Sequence, residues 1–158
     1  MRLVIVLMTM LLPTISMAQI PAIEQLGNEA SQHENVEYES VGGFMIGMAQ
    51  TFANKEQRST FKMLDHIDLI ECRNAAYEQT LEQRTLAIAK SIGATYLASS
   101  TDERGRNDVY ILKKGDIVNE VIIITHGKNG GLAVVVMSGN IPINRLGELS
   151  KLSNPKKE

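Results

Sequence analysis

The C-terminal part of the chain alternates short apolar segments with polar turns, and this alternation limits the folds open to it. The segments are rich in β-branched residues and too short for long helices, which is typical of strands. Asn129-Gly130, between the last two segments, is a strong hairpin signal. Strands joined by tight turns pair antiparallel with their neighbours in sequence, so we predict a four-stranded antiparallel meander. Its strands are 94–99, 109–112, 117–125 and 132–138.

The last two strands are apolar on both faces. Val121–Ile124 and Leu132–Met137 carry apolar residues at successive positions, whereas a sheet with one solvated face would alternate apolar and polar residues. We expect helices to cover one face, and a partner or the curled sheet itself to cover the other. A homodimer or a surface for a protein partner is one interpretation, because apolar patches of this size seldom stay exposed.

The region before the meander begins with a helix and a strand. Ile23, Leu26 and Ala30 have helical spacing after Pro21. Residues 36–41 alternate apolar and polar side chains, which predicts a short strand.

A glycine pair, Gly42-Gly43, separates this strand from a second helical pattern. Phe44, Met48 and Phe52 are four residues apart, so they share one face of a helix. We expect this apolar face to be buried. The glycines are expected to permit a tight turn rather than to hold phosphate, because the lysine and hydroxyl residue of a P-loop are missing.

The chain between the second helical pattern and the meander contains a polar segment, a strand pattern and a long helix pattern, and a short helix pattern comes after the meander. Residues 54–60 are polar and predict a loop, and residues 66–72 predict a strand. Apolar residues from Tyr77 to Ile92 fall on one face of a long helix, for which Gly93 is a stop signal. A short amphipathic helix near Leu149 ends the pattern.

The first residues have the features of an export signal. Arg2 is followed by the apolar run Leu3–Leu12 and by small residues that end at Ala18. The run is too short for a membrane-spanning helix, which takes about 20 apolar residues. Cleavage after Ala18 would leave a periplasmic or secreted chain that is not inserted in the membrane.

These patterns divide the chain into three parts. Residues 1–18 are predicted to be a signal peptide, residues 19–152 a single α+β domain, and residues 153–158 a polar tail. The domain is expected to contain a mainly antiparallel sheet that ends in the four-stranded meander, with helices packed on one face.

Charge and cysteine content exclude some classes of protein. Sixteen basic against eighteen acidic residues give a net charge of -2, which argues against a nucleic-acid partner. Cys72 is the single cysteine, so no internal disulfide is expected. A buried, inert thiol is the expected state, because free cysteine is among the most buried residue types.

The densest cluster of polar ligands in the sequence is His66, Asp68, Glu71 and Cys72. A zinc site would need three or four of them to converge tetrahedrally. On a strand, His66 and Asp68 share a face with Cys72, whereas Glu71 points away. An outward histidine and aspartate with an inward cysteine are the expected arrangement, instead of a metal site.

Cys72 is also a candidate nucleophile. It would need a base within hydrogen-bond distance, and the histidines available are His66, His126 and His33. The local sequence matches no cysteine-enzyme signature, and no Gly-x-Ser-x-Gly elbow is present for a serine enzyme. We therefore predict no catalytic, cofactor-binding or metal-binding residues.

Three other groups are interpreted as structural. Met45, Met48 and Met63 would suit copper, yet methionine at helical spacing is more often core filler. The charged segment Thr101–Asp108 offers calcium ligands or a partner contact, but a polar turn over 101–107 with a solvated hairpin tip is expected. Gly127–Gly131 is likewise interpreted as a hairpin.

The order of these segments resembles an exported family of unknown function, DUF4252-like, that is common in Bacteroidetes. The likeness spans nearly the whole mature chain and is carried by Val36–Met48, the strand that ends at Cys72, and the closing stretch from Asn119 to Ile141. The resemblance implies no catalytic residues. It implies a role in envelope regulation, because family members often lie near extracytoplasmic-function sigma factors.

The predicted function is that of an exported, non-catalytic domain without a cofactor, acting through protein–protein contacts in envelope sensing or regulation. Two alternatives stay open at this point. One is a small exported enzyme or metal-binding protein centred on His66 and Cys72, and the other is a carrier of a small apolar ligand held between helices and sheet.

Overall fold

The structure, a computed structural model, describes residues 20–152. The predicted signal peptide (1–18) and polar tail (153–158) lie outside the described residues. Within the described range the helices are α1 (Pro21–Ala30), α2 (Gly43–Phe52), α3 (Lys55–Phe61), α4 (Ala75–Ile92) and α5 (Leu146–Leu152), with a short 3₁₀ turn at Ile143–Arg145. The strands are β1 (Val36–Gly42), β2 (Leu64–Cys72), β3 (Thr95–Thr101), β4 (Gly105–Lys114), β5 (Ile117–Gly127) and β6 (Leu132–Pro142).

The six strands form one antiparallel sheet in the order β1-β2-β6-β5-β4-β3. The predicted four-stranded meander is confirmed as β3 to β6, in chain order, at one side of the sheet. β2 extends the sheet on the other side by pairing with β6, with Ile70 opposite Val134. The fold is α+β, as predicted.

One face of the sheet, here called the α1/α4 face, packs against α1 and α4. Ile70, Val134 and Ile124 lie side by side on three neighbouring strands and are fully buried. Leu26 of α1 and Leu81 of α4 belong to the same buried cluster. This cluster forms the larger part of the core.

The opposite face, the α2/α3/α5 face, has a second core cluster. Met137 and Val121 pair across β6 and β5 and are buried together with Ile46 of α2 and Leu149 of α5. The expectation of helices on one face is therefore corrected. Central strands that are apolar on both faces present an apolar surface on each side of the sheet. Helices of the same chain cover both of these surfaces.

Two loop predictions are wrong because local hydrogen bonds stabilise regular structure there. Residues 54–60 were expected to be a loop, but Asn54 caps α3 through a capping box with Gln57. The turn expected over 101–107 is shorter, because β4 begins at Gly105. Asn107 is a strand residue that accepts a 2.7 Å hydrogen bond from Thr125 of β5.

The long helix α4 ends as predicted. Asn74 caps its first turn by accepting a hydrogen bond from the backbone N–H of Ala76. Gly93 stops it in the left-handed conformation, with a φ of 82°. Among residues 20–152, none of the helices has both the length and the apolar composition needed to cross a bilayer.

The predicted burial of the α2 stripe is wrong. Ile46 is the buried residue of this helix, whereas Phe44, Met48 and Phe52 face solvent. The four-residue spacing correctly placed these three side chains on one face of a helix. That spacing cannot show which face of the helix packs on the sheet, and here the face that contains Ile46 packs into the second core cluster.

Candidate functional site

A polar cluster lies where β1 and β2 meet on the α1/α4 face. The Tyr38 hydroxyl donates a 2.7 Å hydrogen bond to Oδ1 of Asp68. Nε2 of His66 lies 2.8 Å from Oγ of Ser40 and 3.4 Å from the same Asp68 oxygen. The Asp68 side chain is 1% exposed and that of His66 is 13% exposed. The predicted outward position of these two side chains is therefore wrong, because the face that they share with Cys72 is the one that α1 and α4 cover. The cluster therefore joins the edge strand to its neighbour, with Asp68 at its buried end and Ser40 at its exposed end.

This cluster contains the residue types of a catalytic triad but not its geometry. In a triad the serine and the carboxylate contact different nitrogens of the histidine, which orients the ring and makes it a base. Here Ser40 and Asp68 both approach Nε2 of His66. Burial and the hydrogen bond to Asp68 raise the pKa of Tyr38 to about 12, so its phenol stays a neutral donor. The arrangement suits strand pairing rather than nucleophilic catalysis.

The next two strands extend the polar row. Ser138 of β6 is paired with His66, and Glu120 of β5 is paired with Ser138. Ser138 donates a 2.5 Å hydrogen bond to Oε2 of Glu120, which is 9% exposed. Burial raises the pKa of Glu120 to about 7, and the nearby carboxylates Asp68 and Asp65 add to the rise, while the Ser138 bond opposes it. Glu120 therefore titrates near neutral pH.

Sequence reasoning missed Glu120. The available signal was a charged residue between the apolar residues Val118 and Val121, inside a segment that alternation places in a strand. The importance of Glu120 depends on the row that it forms with Ser138 and His66 across three strands. Predicting that row requires the knowledge that β2 pairs with β6.

Cys72 lies at the far end of β2 from His66. The two residues face the same side of the sheet, as predicted, but a separation of six residues along a strand is roughly 20 Å. Cys72 is 1% exposed, its thiol donates weakly to the Asn74 carbonyl at 3.5 Å, and burial raises its pKa. Glu71 lies on the other side, where it forms an exposed ion pair with Arg73. The structure therefore does not assemble a site from His66 and Cys72.

The remaining candidate ligands are also dispersed. The His33 ring stacks on Tyr77 with ring centres 3.9 Å apart. Nε2 of His126 lies 3.2 Å from Glu82 of α4 and 3.7 Å from Asp108 of β4. Within residues 20–152, no group of three or more histidine, cysteine, aspartate or glutamate side chains is arranged to hold a metal ion.

The methionines considered for copper are not together. Met63 is buried in the second core cluster, as expected of core filler. The same prediction is wrong for Met45 and Met48, which are 56% and 47% exposed and lie on the outer side of α2. They are part of an apolar feature on the surface of the molecule instead of its core.

That feature is an exposed apolar surface on α2. It consists of Phe44, Met45, Met48 and Phe52, and we call it the α2 surface. Phe44 is 79% and Phe52 is 89% exposed. Isolated exposed apolar residues are ordinary, but four large ones on one face of a ten-residue helix form a continuous patch. Such patches mark sites of contact with other molecules.

Two surface depressions are formed by polar side chains. One lies along α1, beside Glu24, Gln25 and Glu29. The other lies between α3 and the C-terminal helix, where Arg145 forms an ion pair with Glu148. Neither has the apolar lining expected of a ligand cavity between helices and sheet.

The fold and its surfaces define a class of protein: an α+β sheet domain with an exposed apolar helix, whose described polar clusters join neighbouring strands. The chain belongs to the family described as Domain of unknown function (DUF4252), whose model matches residues 30–149. Comparisons with curated proteins and with solved structures gave no significant match.

Proposed function

We propose that this protein is an exported, non-catalytic domain that acts through protein–protein contacts, and that the α2 surface makes those contacts. The observation that carries the proposal is the exposure of Phe44 and Phe52 beside two half-exposed methionines. Aromatic residues and methionine are enriched in protein interfaces, whereas charged residues are depleted at interface centres. Helix α2 has no charged residue along its ten positions.

The geometry of the polar clusters supports the non-catalytic part of the proposal. Nε2 of His66 is shared by Ser40 and Asp68 instead of being set between a nucleophile and an orienting carboxylate. Cys72 is buried at the other end of the strand. The alternative of an enzyme or metal protein centred on these two residues has no support from their positions.

Export is proposed from the N-terminal pattern of Arg2, an apolar run and small residues ending at Ala18. The proposed contacts are then made in the cell envelope, where they serve sensing or regulation. An apolar helix of this kind suits a partner that presents a groove or an apolar helix of its own.

The proposal is tested by replacing Met48 with a photo-crosslinking amino acid in cells that produce the full chain. The matched control places the same amino acid at Gln83, an exposed residue of α4. We expect a discrete covalent adduct of the exported chain from position 48 and none from position 83. Absence of an adduct from position 48, or the same adducts from both positions, would contradict the proposal.

A second measurement shows whether Phe44 and Phe52 form a contact surface or belong to the hydrophobic core. Phe44→Ser and Phe52→Ser should leave the thermal unfolding midpoint nearly unchanged, because both side chains are exposed. The same substitutions should abolish the adduct from position 48. A large loss of stability would mean that these residues are core residues, and the proposed surface would be wrong.

A further inference from the structure

We infer that the occupant of the α2 surface is the α2 surface of a second copy of this chain, related by a two-fold axis. This inference rests on the proposed function, because it names the partner of that contact surface. It is carried by the shape, the charge and the area of the helix face that points away from the sheet.

The outward side of α2 has two parallel ridges of different height. Phe44, Met48 and Phe52 form a ridge of large side chains, and the row beside it is low because it contains Gly47 and Thr51. Rows of residues four apart are the ridges that interlock when two helices cross at about −50°. Under a two-fold axis, the high ridge of each copy can lie along the low row of the other. The face is therefore complementary to itself, as an isologous interface requires.

Gly47 makes no contact that packing within a single chain would require. It lies in the middle of α2 with a negative φ, and a Cβ built there would meet nothing within 4 Å. Glycine in a helix interior is unfavourable by about 1 kcal/mol relative to alanine. Gly147 of α5 has the same open Cβ position, so openness alone does not assign a role. Gly47 differs because it lies beside the exposed ridge of Phe44, Met48 and Phe52, where a missing side chain lets a second helix come close.

Charge also favours a second copy. A two-fold axis through α2 would bring each of its residues near its own counterpart, so any charge on the face would meet a like charge. The sequence of α2, GFMIGMAQTF, is free of charged residues. Of the two edge strands, β1 carries Glu37 and Glu39, which would repel their counterparts in self-pairing. The other edge strand, β3, is uncharged, but it exposes fewer large apolar side chains than α2 does.

The exposed area is of the right order for a specific dimer. The two phenylalanines offer about 300 Å² and the two methionines about 200 Å² of apolar surface, against roughly 800 Å² per partner in a standard interface. The low row and the flanking polar residues of α2 would supply much of the remainder. A dimer of moderate affinity is therefore expected, visible as a concentration-dependent mass.

The first test measures the mass of the purified exported chain over a range of concentrations by light scattering and native mass spectrometry. Wild type should dimerise. Gly47→Ala should weaken dimerisation about tenfold or more, while the unfolding midpoint of the dilute monomer stays equal or rises. Gly147→Ala is the matched control, because Gly147 also lies in a helix with open space at the Cβ position. It should leave dimerisation unchanged.

The second test maps the contact. Met48→Cys should form a disulfide-linked dimer on mild oxidation, whereas Gln83→Cys should not, and buried Cys72 should contribute no link. A monomer at all concentrations, or a dimer that Gly47→Ala does not weaken, would overturn the inference.

Two further outcomes separate this inference from the proposed function. If wild type is a monomer while position 48 still crosslinks to a different protein, the second-copy inference is wrong and the contact function stands. If the monomer instead binds neutral phosphatidylcholine vesicles through Phe52, both the inference and the protein-contact function are overturned.

Discussion

Removing the charge of Glu120 should make the protein more stable at alkaline pH and have little effect at acidic pH. Glu120 is 9% exposed on the α1/α4 face, and one hydrogen bond from Ser138 does not compensate its carboxylate for the hydration lost on burial. Asp68 and Asp65 make a negative charge there still less favourable. Glu120→Gln keeps an acceptor for Ser138 but cannot ionise.

The size and sign of the effect follow from the pKa shift. The pKa of Glu120 rises from 4.5 to about 7 on folding, so the folded protein binds this proton more tightly than the unfolded chain. The resulting stabilisation is fully present below pH 4.5 and is lost as pH rises through 7. The full shift corresponds to roughly 3 kcal/mol, and partial screening by solvent reduces the expected value to about 2 kcal/mol.

The assay is urea unfolding of wild type and Glu120→Gln at pH 5 and pH 8, followed by circular dichroism. The variant should be more stable than wild type by about 2 kcal/mol at pH 8 and nearly equal to it at pH 5. Glu37→Gln, an exposed position of β1, is the control for the change in net charge. Equal differences between variant and wild type at both pH values would refute the reasoning.

Three further predictions test the core and the strand pairing. Tyr38→Phe should lower the free energy of unfolding by about 1–3 kcal/mol, because it removes a hydrogen bond to the buried carboxylate of Asp68; an unchanged urea midpoint would contradict this. Cys72 should react with a thiol reagent only as fast as the protein unfolds, so rapid labelling of the folded chain would disprove its burial. Gly139→Ala should cost more than about 3 kcal/mol in a thermal melt, because a Cβ there would overlap the backbone of Met63; a stable variant would show that this close approach is wrong.

The parts of the fold that the sequence predicted are those set by neighbouring residues. The meander follows from turn signals such as Asn129-Gly130, and the end of α4 follows from Gly93. The pairing of β2 with β6 joins segments that are far apart in the chain, and no local pattern specifies it. The start of helix α3 could have been predicted from Asn54 and from Gln57 three residues later, since this spacing is a capping-box signature.

The candidate site was predictable only in part for a related reason. Alternation on a strand correctly placed His66, Asp68 and Cys72 on one face and Glu71 on the other. It could not supply Tyr38, the hydrogen-bond partner of Asp68, because that contact depends on how β1 aligns with β2. Periodicity identifies residues that share a face, whereas a site depends on which faces meet.

The placement of helices on both faces changes where a partner is expected. An apolar sheet face without a cover would have made the sheet itself the contact surface. Instead, Ile122 and Val121, neighbours on β5 that point to opposite faces, are both buried by helices of the same chain. Among residues 20–152, the largest group of exposed apolar side chains is on α2, at Phe44 and Phe52 above all, and a smaller group, Tyr96 and Leu97, lies on the edge strand β3. A hydrophobic contact with another molecule therefore gains most from burying α2, which is why substitutions there should affect association while leaving the fold intact.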